Sequence, residues 1–220
     1  MNKQALHPAG TARVLLAALA ICGALGGCVA VAGGAVVGGT IMAVDRRTTG
    51  TQVDDQTIDL RAASAITATL GDRAHVNASS YNRVVLLTGE APSEADRAKV
   101  EAAVAKVENV RAVVNEVAVM PNTTFAQQSN DTLITGKVKA AFVDAKELQV
   151  ASIKVVTERG IVYLMGRVTE AEANIAANVA RSVGGVQKVV KVFEIITPAE
   201  LAEIRMPPSA PAAPASAPPK

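Results

Sequence analysis

Between residues 54 and 197 the chain switches between helically spaced apolar positions and short runs of branched apolar residues. After Asn130, Ile134, Val138 and Ala141 fall on one face of a helix running to about Ala145, with Asp131 placed to cap its start. Residues 152–157 (SIKVVT) and 161–166 (IVYLMG) read as strands joined by a turn at Glu158-Arg159-Gly160, a β-hairpin. Thr169 with Glu172 three residues later forms a capping box that opens a second helix, which Gly184-Gly185 ends. Residues 186–196 (VQKVVKVFEII) then read as a third strand. Ser93 and Asp96 take the same capping roles earlier in the chain.

That grammar occurs twice. Val76–Ala91 aligns with Ile153–Val168 at an offset of 77, and Val107–Val117 aligns with Val183–Phe193 at an offset of 76. Asp54–Ile58 aligns with Asn130–Ile134, again at 76, so one extra residue near Pro92 explains the change. Three blocks in order establish an internal repeat. The units are 54–121 and 130–197, joined by a polar linker at 122–129. The predicted class is α+β: each unit runs αββαβ, a three-stranded sheet packed on two Ala-rich helices that can approach it closely.

The flanks are of another kind. Val14 to Leu25 is an apolar run behind Lys3 and Arg13, shorter than the roughly 20 residues a membrane-spanning helix needs. A basic start, a short apolar core and small residues describe a secretory signal. Its end, Leu25-Gly26-Gly27-Cys28, resembles the bacterial lipoprotein signal, in which cleavage precedes a Cys that becomes lipid-modified. This reading makes 1–27 a signal peptide, Cys28 the lipidation site and 28–53 a lipidated apolar tether. Val29 stands where an Asp would signal retention in the inner membrane, so the outer membrane is the expected address. Residues 198–220 end in a Pro/Ala run that predicts a disordered, polyproline-like tail.

Charge and composition narrow the function. The chain has 22 basic and 20 acidic residues, and Lys3 and Arg13 leave with the signal. The remainder is neutral, which argues against a nucleic-acid partner. Cys22 and His7 leave too, so Cys28 is blocked by lipid and His75 is the one remaining imidazole. Thiol nucleophiles, multi-histidine catalytic sites and Cys/His zinc sites all lack their residues. With aromatics at 2%, an aromatic-lined sugar cleft is not expected. The expectation is a protein that is not an enzyme, with no cofactor and no metal site, although paired carboxylates stay open.

The strand-ending Gly89 and Gly166, with Gly-Val-x-x-Val-x-x-Val starting at Gly185, resemble the BON domain of bacterial envelope proteins. The strings at Asp45–Asp55, Ser129–Lys139 and Val156–Ala173 agree. Two such domains behind a lipoprotein signal are similar to the dual-BON outer-membrane lipoproteins. The resemblance implies a non-enzymatic, lipid-anchored protein on the periplasmic face of the outer membrane. It implies support of envelope integrity, collection at the division site and a link to the outer-membrane protein assembly machinery. It also implies that the first helix of the second domain binds anionic phospholipid such as phosphatidylglycerol. That helix corresponds to Thr132–Val143, with Leu133, Lys137, Val138, Lys139 and Val143 as lipid-binding residues. The family commonly carries Trp where this chain has Leu133, and Trp favours the bilayer interface more strongly.

Charge partition bears on the same point. Residues 54–121 hold seven basic and ten acidic side chains, a net −3, whereas 130–197 hold nine and seven, a net +2. Each Lys close to an anionic surface contributes about 1 kcal/mol. For Lys137 and Lys139 a merely solvated helix face is the competing reading. For Leu133, Phe142 and Val143 it is core packing. A protein-interaction scaffold, docking through the tether or the acidic first repeat, is the alternative function.

Overall fold

The computed structural model describes residues 45–205. The signal segment, Cys28, the first part of the tether and residues 206–220 lie outside the described residues. In chain order the elements are α1 (Thr49–Leu70), β1 (His75–Tyr81), β2 (Val84–Ala91), α2 (Glu94–Val104), β3 (Ala112–Asn115) and β4 (Ala118–Val119). The second repeat follows with α3 (Phe125–Asp144), β5 (Ile153–Glu158), β6 (Ile161–Val168), α4 (Glu170–Ser182) and β7 (Lys188–Ile195), and then α5 (Pro198–Arg205). The fold class is α+β, with the repeated αββαβ order.

In each domain a hairpin supplies two antiparallel strands, from His75↔Glu90 to Tyr81↔Val84 and from Ile153↔Gly166 to Glu158↔Ile161. A helix then carries the chain to a strand parallel to the hairpin's second strand, as a parallel pairing requires. In the first domain this strand is in two pieces, β3 and β4, both paired with β2. In the second, β7 runs unbroken along β6 from Lys188 to Ile195.

Both hairpins turn through two residues with positive φ: Asn82 and Arg83 at 50° and 64°, Arg159 and Gly160 at 51° and 70°. This is the turn that matches strand twist, but it strains side chains such as Arg83 and Arg159 that lack the tolerance of glycine or asparagine for positive φ. A buried carboxylate holds each turn in place. Asp55 accepts from the N–H of Asn82 and of Arg83, both at 2.8 Å, and from the Ser80 hydroxyl. Asp131 accepts from the N–H of Arg159 and of Gly160, both at 2.7 Å.

Three boundaries therefore differ from the sequence expectation. Asp131 does not start its helix; Thr124 does, with a reciprocal capping box to Gln127, so α3 reaches back into the stretch read as a linker. Likewise α1 begins at Thr49, capped by Thr48, inside the stretch read as a tether. The stretch read as a disordered tail opens with a helix, α5, whose start Thr197 and Glu200 cap.

Alternation along β2 and β6 divides the apolar residues between two faces. Val85, Leu87 and Ala91 pack on Ile58, Ala62, Ile66 and Leu70 of α1 and on Val100 and Val104 of α2. Val162, Leu164 and Val168 pack on Ile134, Val138 and Phe142 of α3 and on Ala173, Ala176 and Ala180 of α4. On the opposite faces Leu86 and Tyr81 of one domain meet Tyr163 and Met165 of the other, forming a third core between the sheets. Burial on both faces explains why these strands read as nearly unbroken apolar runs. Gly89 and Gly166 are required for strand spacing: a Cβ on Gly89 would lie 1.9 Å from the His75 carbonyl oxygen, and one on Gly166 would lie 2.3 Å from that of Ser152.

Candidate lipid-contact helix

Helix α3 spans 20 residues and buries one face: Asp131, Ile134, Val138 and Phe142. Besides the Asp131 bonds to the β5–β6 turn, the Thr135 hydroxyl donates to that of Thr157 at 2.7 Å, so the helix cannot roll on its sheet. The outward face carries Leu133 at 63% exposure and Val143 at 68%, and Phe125 in the first turn at 84%. Gly136 and Ala140 lie between Leu133 and Val143 at helical spacing and are exposed. The result is an apolar ridge that stands off the domain.

Of the residues expected to meet lipid, the structure places Leu133, Lys137, Lys139 and Val143 outside. Val138 differs: it is fully buried against β6, because it lies four residues from Ile134 on the inward face. Its role is to hold the helix, and reaching a bilayer would require unfolding. Phe142 is core as well. Lys137 and Lys139, two residues apart, flank the ridge on opposite sides. Lys139 leans over a cleft of about 330 Å³ that it shares with Asp55, Asp59 and Lys154. Among the described residues neither lysine makes an ion pair.

The contacts that fix the second domain relative to the first were not visible in sequence. Arg46, nearly fully buried, forms a two-pronged ion pair with Glu172 at 2.6 and 2.8 Å and donates to the Arg167 carbonyl at 2.8 Å. Arg47 pairs with Asp45 and Asp55 and stacks 4.2 Å above the Tyr81 ring. Residues just ahead of α1 thus form a strap, held by Arg46 to the second domain and by Arg47 to the first. Arg159 pairs with Glu90 at 2.6 Å, Lys154 with Asp59, and Glu194 with Arg111 and Arg167. Except for Arg167–Glu194, which lies within the second domain, each of these pairs joins an acid of one domain to a base of the other.

These pairs shift titration. Burial alone would raise the Glu172 carboxyl, but the hydrogen bonds from Arg46 and from the Thr169 N–H outweigh it and hold it at about 2. Glu90 behaves similarly: burial opposes, and Arg159 with the Thr123 N–H wins, so its pKa is lowered. Glu158 goes the other way, raised by burial and by the Glu90 charge. Burial pushes the Tyr81 and Tyr163 hydroxyls up to about 12.

Comparison with known proteins fits this architecture. A family model described as the BON domain matches residues 54–121 and 130–197. The outer membrane lipoprotein DolP of Haemophilus influenzae is 42% identical over 176 residues, covering 78% of this chain and 90% of that protein. A 21 kDa hemolysin of Actinobacillus pleuropneumoniae is 37% identical over 155 residues, covering 70% of this chain and 80% of that protein. Among the described residues no helix is long and apolar enough to cross a membrane. Two matches to one domain model, on two sheets that share a central core, make this chain a member of the BON-domain family with two copies of the domain.

Proposed function

We propose that this chain is a lipoprotein anchored through Cys28 to the periplasmic face of the outer membrane, where its second BON domain binds anionic phospholipid through α3. The observation that carries the reading is the outward face of α3, an apolar ridge of Leu133 and Val143 between Lys137 and Lys139. Burying apolar side chains contributes about 25 cal/mol per Å², and each lysine near an anionic surface contributes about 1 kcal/mol. Such binding is weak by itself. A lipid on Cys28 would keep the domain at the surface, where weak contacts suffice to select lipid composition. The name of the Haemophilus relative supports the address. Support of envelope integrity at the division site belongs to the same proposal.

Vesicle flotation tests it on residues 45–205, which hold both helix-packed cores, the core between the sheets and the strap. The segment should float with phosphatidylglycerol vesicles and not with zwitterionic ones, less so as salt is added. Charge reversal, Lys137→Glu with Lys139→Glu, should abolish flotation. Flotation that ignores both lipid charge and these lysines would sink the proposal. A second reading, docking on the outer-membrane protein assembly machinery, draws on exposed Val53 and Leu60 of α1 in the acidic domain. It predicts that substitutions there, and not on α3, impair function in cells.

A further inference from the structure

We propose that His75, Glu90 and Glu158 form a binding site for a divalent transition cation of the zinc class, clamped between the two domains. The three come from β1, β2 and β5, and one ligand atom from each lies within 4.8 Å of the other two. His75 Nδ1 and Glu90 Oε2 are already 3.4 Å apart. That is long for a hydrogen bond, yet it matches the roughly 3.3 Å edge of a tetrahedron with metal–ligand distances of about 2.0–2.1 Å. Closing the rest of the site requires Glu158 to move by roughly 1.5 Å, within reach of a rotamer adjustment.

Glu158 is the independent observation. Its side chain is only 5% exposed, and among the described residues its carboxylate receives no hydrogen bond. Its oxygens are not sealed off but reach a cleft, where water or a cation can complete them. Glu158 lines this cleft, of about 200 Å³, together with His75, Asn77 and Thr157, which gives an ion a way in and leaves room for water as a fourth ligand. The internal repeat sharpens the contrast. At the 77-residue offset, Glu158 corresponds to Tyr81 and His75 to Ser152. There the Tyr81 hydroxyl donates to the Ser152 carbonyl and is satisfied.

The surroundings suit such an ion. Arg159 donates to Oε1 of Glu90, and the Thr123 N–H and hydroxyl both donate to Oε2, holding the carboxylate beside His75; a cation taken up by Oε2 displaces the Thr123 hydroxyl. The Asn77 amide nitrogen is placed 3.3 Å from Nε2 of His75, and a flip of the amide exchanges it for the oxygen. With its oxygen turned inward it accepts the Nε2 proton and presents Nδ1 bare, the arrangement that metal-bound imidazoles favour. One imidazole with two carboxylates selects zinc-like ions over calcium or magnesium, which prefer all-oxygen sites.

The test is a zinc titration of residues 45–205, where His75 is the single imidazole. One equivalent should bind reversibly, shift the His75 ring resonances and raise the unfolding midpoint, since it joins two domains. EDTA should reverse both effects, and equal magnesium should produce neither. Glu158→Gln and His75→Ala should each weaken zinc binding at least about tenfold. The proposal is overturned if zinc leaves the His75 resonances unmoved, or if it binds equally well to Glu158→Gln. Should His75→Ala fail to fold, the ring resonances of the unaltered segment still decide the matter.

Discussion

Helices α1 and α3 are the same helix made twice, and they agree on the inside while differing on the outside. At an offset of 76, the buried set Asp55, Ile58, Ala62 and Ile66 becomes Asp131, Ile134, Val138 and Phe142. Each position keeps its place against the sheet, and each aspartate keeps its hairpin turn. Outside, Thr57 becomes Leu133, Ala63 becomes Lys139 and Thr67 becomes Val143. Arg61, paired with Glu108 in the first domain, becomes Lys137, which has no ion pair among the described residues. Packing constrains the inward positions in both copies; the outward positions were free to diverge, so α1 exposes Val53 and Leu60 where α3 has Ser129 and Gly136, while α3 gains the ridge of Leu133 and Val143 with Lys139 beside it. A function specific to the second domain is best sought there.

The strongest challenge to the shared inward design is to remove the turn-holding carboxylate. Asp131→Ala leaves two N–H donors of a strained turn without their acceptor and should cost about 3 kcal/mol. Asp55→Ala should cost at least as much, because Asp55 also holds Ser80 and Arg47. Denaturant unfolding of both variants measures this, and a loss in only one would show that the two turns are not held alike.

The strap comes next. Arg46→Ala removes three hydrogen bonds and leaves Glu172, 14% exposed, without its cation, at a cost of about 2 kcal/mol. The pH dependence follows from the sign of the Glu172 shift. Its folded value near 2 lies below the ordinary 4.5, so its stabilisation is complete above about pH 5 and is lost as pH falls toward 2. Thermal unfolding between those limits should be steeper in pH for the unaltered chain than for Arg46→Ala.

Smaller again is the inward packing of α3 itself. Val138→Ala should cost about 1–2 kcal/mol through lost burial and a small cavity, with vesicle binding of the folded protein unchanged. Leu133→Ser should show the opposite pattern, with stability within about 0.5 kcal/mol and weaker flotation. The pair separates the two faces of one helix.

Much of this was legible in the sequence. The duplication, the hairpins and the capping box at Thr169 rest on local patterns, and local chemistry decides them. Asp131 misled because Asp is a good helix start, and only the fold reveals that a turn far along the chain claims its oxygens. Val138 could have been assigned inward from its spacing to Ile134 and Phe142; the spacing already states it. The unbroken apolar runs of β2 and β6 signalled two buried faces, but not that the second face belonged to the other repeat. Arg46 with Glu172, and Glu158 with the His75–Glu90 pair of the first hairpin, join residues distant in sequence, and no periodicity or count brings them together. A lone histidine argued against a metal by number alone, whereas the fold supplies it with two carboxylates.

The central claim, that the outward face of α3 gives the second domain its affinity for anionic lipid, is tested most directly by exchanging that face. The triple change Leu133→Thr, Lys139→Ala and Val143→Thr gives α3 the residues that α1 carries at the equivalent positions. Flotation of residues 45–205 with phosphatidylglycerol vesicles should fall at least about tenfold, with the unfolding midpoint close to that of the unaltered protein. Undiminished flotation of the folded triple variant would contradict the account.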